Sequence, residues 1–217
     1  METKLQLAID TLTPQGALLL VEQVSPYIDI IEAGTPFIKR FGLEVLARFR
    51  QVAPDKLLVA DMKMMDAGAY EAAIAFDAGA DIVTVLGCAT DETILGALQE
   101  AKKRDRQVVV DLIAVRDKAQ RAQQLECFGV HYIGVHTGLD QQAMGETPLS
   151  DLKQIRSAVH TPLAVAGGIT VHSMHDIAAL EPAIIIVGSH ITQSPDPVAV
   201  SFALRKVLDQ QNALVGC

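Results

Sequence analysis

The segment DMKMMD, residues 61–66, concentrates charge at a point where the sequence predicts burial. It follows the apolar run 57–60 and contains two carboxylates and one ammonium, and buried charges are costly unless they are paired. In an extended strand, side chains two residues apart face the same side, so Asp61 and Lys63 are expected to face one cavity. Asp66 is expected just beyond the strand, in the loop that borders this cavity. An ammonium held among carboxylates is suited to stabilising negative charge that develops on a substrate.

Carboxylates also lie near the ends of other apolar segments. These are Asp10 in LQLAID (5–10), Glu32 in IDIIEAG (28–34) and Asp111 in QVVVDLI (107–113). If they meet Asp61 at one site they repel one another, and a single lysine offsets only one charge. Hard cations such as Mg²⁺ prefer oxygen ligands, and we expect Glu32 and Asp61 to be those ligands. The alternative is an ion-pair network around Lys63 that holds no metal.

A histidine ends a further apolar segment, HYIGVH (131–136). An imidazole titrates near neutral pH, so His136 is a candidate general acid or base if it shares the site with Lys63. A histidine that is simply hydrogen-bonded within the fold is the structural alternative. A second histidine, His190, follows a glycine-containing turn and is expected to lie close to that turn.

Two segments carry glycine where a strand is expected to end, AVAGGIT (164–170) and IVGSHIT (186–192). Glycine lets backbone N–H groups approach an anion closely, and the turns after the last two strands of a barrel frequently bind phosphate. Ordinary strand-to-helix turns are the alternative interpretation. The candidate phosphate-binding residues are Gly167, Gly168, Gly188 and Ser189.

Strands that end at a common rim are needed to bring these side chains together. Short apolar runs rich in β-branched residues start 21 to 31 residues apart and alternate with amphipathic stretches of helical periodicity. The runs cover residues 5–10, 28–34, 57–63, 81–87, 107–113, 131–136, 162–168 and 183–188. This pattern predicts an α/β fold, a (β/α)8 TIM barrel, with residues 1–217 forming a single domain. A doubly wound open sheet is the alternative, but no G-x-G-x-x-G follows the first strand.

Composition argues against several classes of partner. The 217-residue chain has a formal net charge of −8 and no basic cluster with interleaved aromatic residues, so we expect no nucleic-acid binding. No apolar run is long enough to span a membrane, and METKLQLAID contains no apolar leader segment. The cysteines form no C-x-x-C motif, and we expect reduced thiols in a cytoplasmic protein. They are Cys88, Cys127 and Cys217.

Motifs along most of the chain carry a family resemblance. The chain resembles the 3-hexulose-6-phosphate synthases of the orotidine 5′-monophosphate decarboxylase suprafamily over about residues 4–208. DMKMMD matches the D-x-K-x-x-D signature of that suprafamily. The other segments that carry the resemblance are LAID (7–10), EAGTPFIKRFG (32–42), DAGADIVTVLG (77–87), VHTGLDQQA (135–143), VAGGI (165–169) and IVGS (186–189).

The resemblance implies an aldehyde-lyase that joins formaldehyde reversibly to D-ribulose 5-phosphate, giving D-arabino-hex-3-ulose 6-phosphate through a metal-stabilised enediolate. It implies Mg²⁺ bound through Glu32 and Asp61, and His136 as the base that removes the C1 proton. It also implies a homodimer with shared active sites, in which Asp66 reaches the partner's site. The catalytic residues that it implies are Asp10, Asp61, Lys63, Asp66 and His136. Asp10 also belongs to the implied substrate-binding residues.

Two other functions stay open at this point. The sibling family, 3-keto-L-gulonate 6-phosphate decarboxylase, shares the acidic, lysine and histidine residues and also forms an enediolate. It carries H-R-x-R-D where this chain has HTGLD (136–140). Leu139 cannot donate the hydrogen bond that the second arginine provides, so the synthase reaction is favoured. A non-catalytic phosphosugar-binding barrel is less favoured, because a pure binder needs no acid–base residues.

Overall fold

The structure, a computed structural model, describes residues 2–215 and is built on parallel strands that close into a barrel. The strands are β1 Lys4–Ile9, β2 Ile30–Ala33, β3 Leu57–Met64, β4 Ile82–Leu86, β5 Gln107–Asp111, β6 Tyr132–His136, β7 Leu163–Ala166 and β8 Ile184–Val187. They follow one another around the barrel in chain order, and β8 pairs with β1 to close it. The predicted (β/α)8 barrel is therefore confirmed, and the alternative of an open sheet is wrong.

Helices connect the strands around the outside of the barrel. They are α1 Pro14–Val24, α2 Thr35–Phe41, α3 Val45–Val52, α4 Gly68–Asp77, α5 Asp91–Lys103, α6 Lys118–Phe128, α7 Leu139–Gln142, α8 Leu149–Ala158, α9 Val171–Ala178, α10 Ser189–Thr192 and α11 Pro197–Val215. A 3₁₀ turn, Ser25–Tyr27, follows α1. The predicted alternation holds, but α2, α7 and α10 are additional short helices after β2, β6 and β8. They lie at the carboxyl ends of these strands, the end of such a barrel that carries catalytic groups.

Alternation of side chains along the strands divides the core into two layers. Outward-facing residues of β1, such as Leu5 and Leu7, are fully buried against the helices. Inward-facing residues such as Ile30, Val59 and Ile184 pack against one another inside the barrel. Burying a side chain of this size contributes roughly 1.5–3 kcal/mol. The apolar interior therefore holds the strands firmly beneath the polar residues at their carboxyl ends.

Strand β3 departs from regular geometry where the charged segment lies. Its pairing with β4 shifts register between Ala60 and Met64, and Lys63 has a φ of 46°. The left-handed conformation costs a non-glycine residue roughly 1–2 kcal/mol. The hydroxyl oxygen of Thr84 on β4 accepts the Lys63 N–H at 2.8 Å and so fixes the irregular segment. Backbone strain is thus concentrated at a candidate catalytic residue, which is common at functional sites.

The cysteines lie in separate parts of the chain. Cys88 and Cys127 are free thiols on the surface, and Cys217 is outside the described residues.

Within residues 2–215, no helix combines the length and the apolar character needed to cross a membrane.

Candidate active site

The ammonium group of Lys63 lies at the centre of a cluster of polar side chains at the carboxyl ends of the strands. Its Nζ donates to both carboxylate oxygens of Asp61, at 3.0 Å and 2.8 Å, and to Asp111 Oδ2 at 3.1 Å. Burial on its own would lower the pKa of Lys63, but the charges of Asp61 and Asp111 raise it above its ordinary value. Lys63 is therefore a permanent cation at neutral pH, shared by carboxylates from β3 and β5.

The buried carboxylate of Asp61 accepts hydrogen bonds on both oxygens. Besides Lys63, Thr84 Oγ1 donates to Oδ1 at 2.7 Å and Thr35 Oγ1 donates to Oδ2 at 2.8 Å. Each carboxylate oxygen has about two accepting positions; Oδ1 has two donors, whereas Oδ2 has Lys63 and a share of the single Thr35 proton, which also lies 2.7 Å from the Asp61 carbonyl oxygen. Asp61 is consequently held in one orientation, and any further ligand has to replace one of these donors.

His136 is held by the same carboxylate that contacts the lysine. Its Nδ1 lies 2.9 Å from Asp111 Oδ2, and Asp111 Oδ1 accepts the backbone N–H of Ile113 at 2.8 Å. Burial on its own would raise the pKa of Asp111, but the hydrogen bond and charge of His136, with the charge of Lys63, lower it to about 2. Asp111 is therefore ionised and accepts the Nδ1 proton. This leaves Nε2 of His136 as the ring nitrogen that can take up a proton.

Glu32 and Asp10 add to the negative charge at the same rim. Glu32 is buried and accepts a hydrogen bond from Gln6 Nε2 at 2.5 Å. Its pKa is raised well above the ordinary value, first by burial and then by the charge of Asp61. Burial and Asp61 likewise raise the pKa of Asp10. Burial is the larger cause of both pKa shifts, and the additional rise caused by Asp61 indicates a region of negative charge where a cation would be stabilised.

The donor set at this rim fits a hard divalent cation with few protein ligands. Among residues 2–215, no group of three or more histidine, cysteine or acidic side chains forms an all-protein metal cage. Mg²⁺ commonly takes one or two carboxylates and completes its shell with water and substrate oxygens. Glu32 and Asp61 supply such carboxylates, and a divalent charge would relieve their mutual repulsion. The residues therefore fit Mg²⁺, whereas they do not fit a structural zinc ion.

Asp10 packs against the backbone of Gly34, where there is no room for a side chain. A methyl group placed on Gly34 would lie 2.1 Å from Asp10 Oδ1. On the other side, a methyl group on Gly188 would lie 3.9 Å from Asp10 Oδ2. Gly188 precedes the exposed Ser189 at the start of α10. Asp10 thus lies close to both the β2–α2 connection and one of the two predicted phosphate-binding turns.

The two glycine turns lie side by side, because β7 and β8 are neighbours in the barrel. Gly167 and Gly168 have φ values of 120° and 63°, in the region that favours glycine. A methyl group on Gly167 would also lie 2.5 Å from the carbonyl oxygen of Thr137, so the strand-end backbones approach closely. His190 is near the first turn, where its Nε2 accepts the Val171 N–H at 3.3 Å. The histidine therefore links the two turns through one hydrogen bond.

Asp66 lies apart from this cluster, in the connection between β3 and α4. Its side chain is exposed, and Oδ1 accepts the N–H of the next residue, Ala67, at 2.7 Å. Its neighbours Met65 and Tyr70 are exposed apolar side chains. In the described chain, Asp66 makes no hydrogen bond to Lys63 or to any other residue of the cluster.

Several orienting contacts come from residues that the sequence argument did not single out. Thr35 and Thr84 orient Asp61. Gln6 orients Glu32. Thr84 and Gln6 are inward-facing strand residues, so alternation along the strand could have found them. Thr35 belongs to the short helix α2, and no periodic signal in the sequence marks it.

The chain matches known proteins over almost its whole length, beginning with a family model, Orotidine 5′-phosphate decarboxylase / HUMPS family, at residues 3–204. The curated 3-hexulose-6-phosphate synthase of Mycobacterium gastri is 43% identical over 205 residues, which cover 94% of this chain and 99% of that protein. The crystal structure of 3-hexulose-6-phosphate synthase from Salmonella typhimurium has a TM-score of 0.94 at 42% identity, covering 96% of this chain and 100% of that chain. The structure of 3-keto-L-gulonate-6-phosphate decarboxylase from Vibrio cholerae has a TM-score of 0.86 at 25% identity, covering 97% and 99% of the two chains. The family model and the relatives match nearly the whole chain, and the fold agrees with them, so the chain belongs to the orotidine 5′-phosphate decarboxylase / HUMPS family.

Proposed function

We propose that this chain catalyses the reversible, Mg²⁺-dependent condensation of formaldehyde with D-ribulose 5-phosphate, giving D-arabino-hex-3-ulose 6-phosphate. Its class is that of the synthases it matches, a carbon–carbon lyase of the aldehyde-lyase type. The observation that carries the proposed enediolate chemistry is that His136 and Lys63 contact one oxygen, Asp111 Oδ2, at 2.9 Å and 3.1 Å. A base and a cation held this close together are suited to removing a proton beside a carbonyl group and stabilising the resulting anion.

The proposed reaction starts when His136 removes the C1 proton of ribulose 5-phosphate. The ionised carboxylate of Asp111 keeps a proton on Nδ1 of His136, so the lone pair that accepts the C1 proton is on Nε2 of His136. The electron pair left at C1 delocalises onto the carbonyl oxygen at C2, which forms an enediolate. C1 then attacks the carbon of formaldehyde, and the former formaldehyde oxygen takes the proton back from His136. Cleavage of the product follows the same steps in reverse.

Lys63 is proposed to stabilise the enediolate as a fixed cation and not to form a Schiff base. A Schiff base requires a neutral amine, and Asp61 and Asp111 keep Lys63 protonated. The donor hydrogens of the ammonium are already engaged with carboxylate oxygens. Contact with the substrate therefore requires one of these hydrogen bonds to be exchanged for a bond to the enediolate oxygen.

Glu32 and Asp61 are proposed to hold the Mg²⁺ ion. When bound, the ion supplies Lewis-acid stabilisation of the substrate oxygens that become negative during the reaction. Burial is the first cause of the raised pKa of Glu32, and the second cause, the nearby charge of Asp61, supports this assignment because a cation would offset the repulsion between the two carboxylates. Asp61 contributes from an orientation that Thr35 and Thr84 already hold.

The phosphate group of the substrate is proposed to bind at the turns after β7 and β8. Backbone N–H groups of glycine turns at this end of a barrel approach an anion closely. The residues concerned are Gly167, Gly168, Gly188 and Ser189. Asp10, which lies between Gly34 and Gly188, is proposed to bind a hydroxyl group of the sugar. Its carboxylate is unsuited to binding the phosphate itself, because like charges repel.

The active enzyme is proposed to be a homodimer with shared active sites, in which Asp66 contributes to the partner's site. Within the described chain, Asp66 Oδ1 accepts only the neighbouring Ala67 N–H. It is flanked by exposed apolar side chains, and such a patch is typical of a subunit interface. These side chains are Met65, Tyr70 and Ile74. The exposed free thiols Cys88 and Cys127 support a reducing, cytoplasmic setting for the enzyme.

Decarboxylation of 3-keto-L-gulonate 6-phosphate is the second candidate, supported by the TM-score of 0.86 to the Vibrio cholerae decarboxylase. That reaction protonates the enediolate, which favours a hydrogen-bond donor that positions a water molecule. Leu139 stands where the sibling family has an arginine, is 73% exposed at the start of α7, and has no donor in its side chain. This difference favours the synthase reaction.

An assay with ribulose 5-phosphate, formaldehyde and Mg²⁺ tests the proposal. We expect the two substrates to disappear in equal molar amounts, and we expect a chelator to stop the reaction. The absence of formaldehyde-dependent loss of ribulose 5-phosphate would contradict the proposal. A parallel assay follows carbon dioxide release from 3-keto-L-gulonate 6-phosphate, and a higher kcat/KM in that assay would favour the decarboxylase instead.

A further inference from the structure

We propose that Gln6 is a positioning residue for the divalent cation, because its amide holds one oxygen of Glu32 and leaves the other oxygen for the metal. The inference rests on the proposed function, since it takes Glu32 as a ligand of Mg²⁺. It assigns a task to a buried polar side chain that takes no part in the proposed proton transfer.

Gln6 is a polar residue in aliphatic surroundings on the inner wall of the barrel. It lies on β1, in register with Ile30 of β2 and Ile186 of β8, and only 3% of it is exposed. A buried amide in such surroundings costs free energy unless it is hydrogen-bonded. Its Nε2 donates to Glu32 Oε2 at 2.5 Å, a charge-assisted hydrogen bond. The burial of Gln6 is therefore tied directly to the orientation of Glu32.

This hydrogen bond distinguishes the two oxygens of Glu32. Within residues 2–215, Gln6 is the one hydrogen-bond donor to this carboxylate, and it reaches Oε2. Both lone pairs of Oε1 remain available to a ligand. The amide also disfavours binding of a cation through both oxygens and fixes the plane of the carboxylate. Groups that orient a metal ligand in this way strongly affect metal affinity.

The other proposed ligand, Asp61, differs from Glu32 because both of its carboxylate oxygens already accept hydrogen bonds. Lys63 donates to both of its oxygens, Thr84 donates to Oδ1, and Thr35 shares its single proton between Oδ2 and the Asp61 carbonyl oxygen. A cation has to displace a donor in order to bind Asp61, whereas Oε1 of Glu32 requires no displacement. Glu32 therefore offers an oxygen that can bind a cation without loss of a hydrogen bond, and Gln6 determines the orientation of that ligand.

Replacement of Gln6 by methionine tests the inference with little change in side-chain length. We expect the Kd of Mg²⁺, titrated alone into metal-free protein by calorimetry, to rise by about 10- to 100-fold in Gln6→Met. Gln6→Asn is a second variant, which keeps the test possible if Gln6→Met does not fold. Its amide is one methylene too short to reach Glu32, so the same loss of Mg²⁺ affinity is expected. Gln107→Met is the matched control. Gln107 is a strand-borne glutamine on β5, 3.5 Å from Tyr132 Oη, and Mg²⁺ affinity should not change.

Enzyme activity supplies a second measurement. If Gln6 acts through the metal, a high Mg²⁺ concentration should restore kcat of Gln6→Met, although half-maximal activity requires more Mg²⁺ than in the wild-type enzyme. Equal or tighter Mg²⁺ binding by Gln6→Met would overturn the inference and leave the proposed function intact. A wild-type protein that binds no Mg²⁺ would overturn both the inference and the proposed metal site.

Discussion

The Nδ1 atom of His136 lies 2.9 Å from Asp111 Oδ2, and this contact determines which nitrogen of the imidazole is available as a base. The two residues are brought together by the pairing of β5 with β6, in which Asp111 is in register with Gly134. Because Asp111 is ionised, it requires a proton on Nδ1 and leaves the lone pair on Nε2. The same carboxylate oxygen lies 3.1 Å from Lys63 Nζ, so one residue aligns both the base and the cation.

Asp111→Asn is expected to lower kcat by about 10²–10⁴-fold, the contribution typical of a general base. The asparagine side-chain NH₂ would donate to Nδ1 of His136, which moves the imidazole proton to Nε2 and removes the basic lone pair. Steady-state kinetics measure the effect. Asp77→Asn is a control at an exposed carboxylate and should retain the wild-type rate. Unchanged kcat in Asp111→Asn would show that Asp111 does not control the base.

Lys63→Ala is expected to lower kcat by about 10²-fold or more, as the removal of one group that stabilises a developing oxyanion does. It also leaves Asp61 and Asp111 without their cation, which for fully buried pairs costs about 3–5 kcal/mol. The Lys63 side chain is 23% exposed, so solvent screening should bring the loss of stability towards the lower end of this range. Kinetics and urea denaturation measure the two effects separately. A Lys63→Ala enzyme with the wild-type rate would remove Lys63 from the mechanism.

Acid should destabilise the protein partly through Asp111. Its pKa is lowered from 3.8 to about 2 in the folded protein, so it stabilises the fold above pH 3.8 and loses that effect as the pH falls towards 2. The lowered pKa corresponds to a contribution on the order of 2 kcal/mol to the free energy of unfolding. We expect the free energy of unfolding to fall more steeply over this range in the wild-type protein than in Asp111→Asn. Parallel pH profiles for the two proteins would contradict this expectation.

Glu32 should affect stability with the opposite sign. Its pKa is raised above 4.5, so it favours the folded state below that pH and costs stability as the pH rises through the raised value. Glu32→Gln is therefore expected to raise the Tm of the metal-free protein at neutral pH. It should also abolish the increase in Tm that Mg²⁺ produces in the wild-type protein. Calorimetry with and without Mg²⁺ measures both changes, and an undiminished response of Glu32→Gln to Mg²⁺ would rule out Glu32 as a ligand.

Gly167→Ala is expected to raise KM for ribulose 5-phosphate, because its methyl group would lie 2.5 Å from the carbonyl oxygen of Thr137 and distort the turn. Gly79→Ala is the matched control. Gly79 also has a positive φ, of 103°, but nothing lies within 4 Å of its added methyl group. Strain in the control should lower stability by roughly 1–2 kcal/mol without affecting KM. Equal KM values for the two variants would argue against phosphate binding at this turn.

Alternation along β3 was enough to predict that Asp61 and Lys63 share a face, because side-chain direction in a strand is a local property. The barrel topology then followed from the spacing of the apolar runs. The contact between His136 and Asp111 could not be derived in the same way, since it depends on the register of β5 with β6. The left-handed backbone of Lys63 was equally hidden, because it is stabilised by Thr84 from a neighbouring strand.

The orienting role of Thr35 was missed for a different reason. It lies in α2, a helix of seven residues whose position after β2 depends on the rest of the barrel rim. Its hydroxyl reaches Asp61 at 2.8 Å across a connection between strands, and no local pattern predicts such a contact. Strand alternation therefore indicates which strand residues face the site, whereas a contact made across a rim connection, such as that of Thr35, has no comparable local signal.

Exchange of the C1 proton of ribulose 5-phosphate with deuterated solvent, followed by NMR without formaldehyde, tests the assignment of His136 most directly. The wild-type enzyme with Mg²⁺ should exchange one C1 proton, and His136→Ala should lose about 10²–10⁴-fold in this rate while still binding ribulose 5-phosphate. His175→Ala, which removes an exposed histidine on α9, should exchange as fast as the wild-type enzyme. Undiminished exchange in His136→Ala, or no exchange in the wild-type enzyme, would contradict the account.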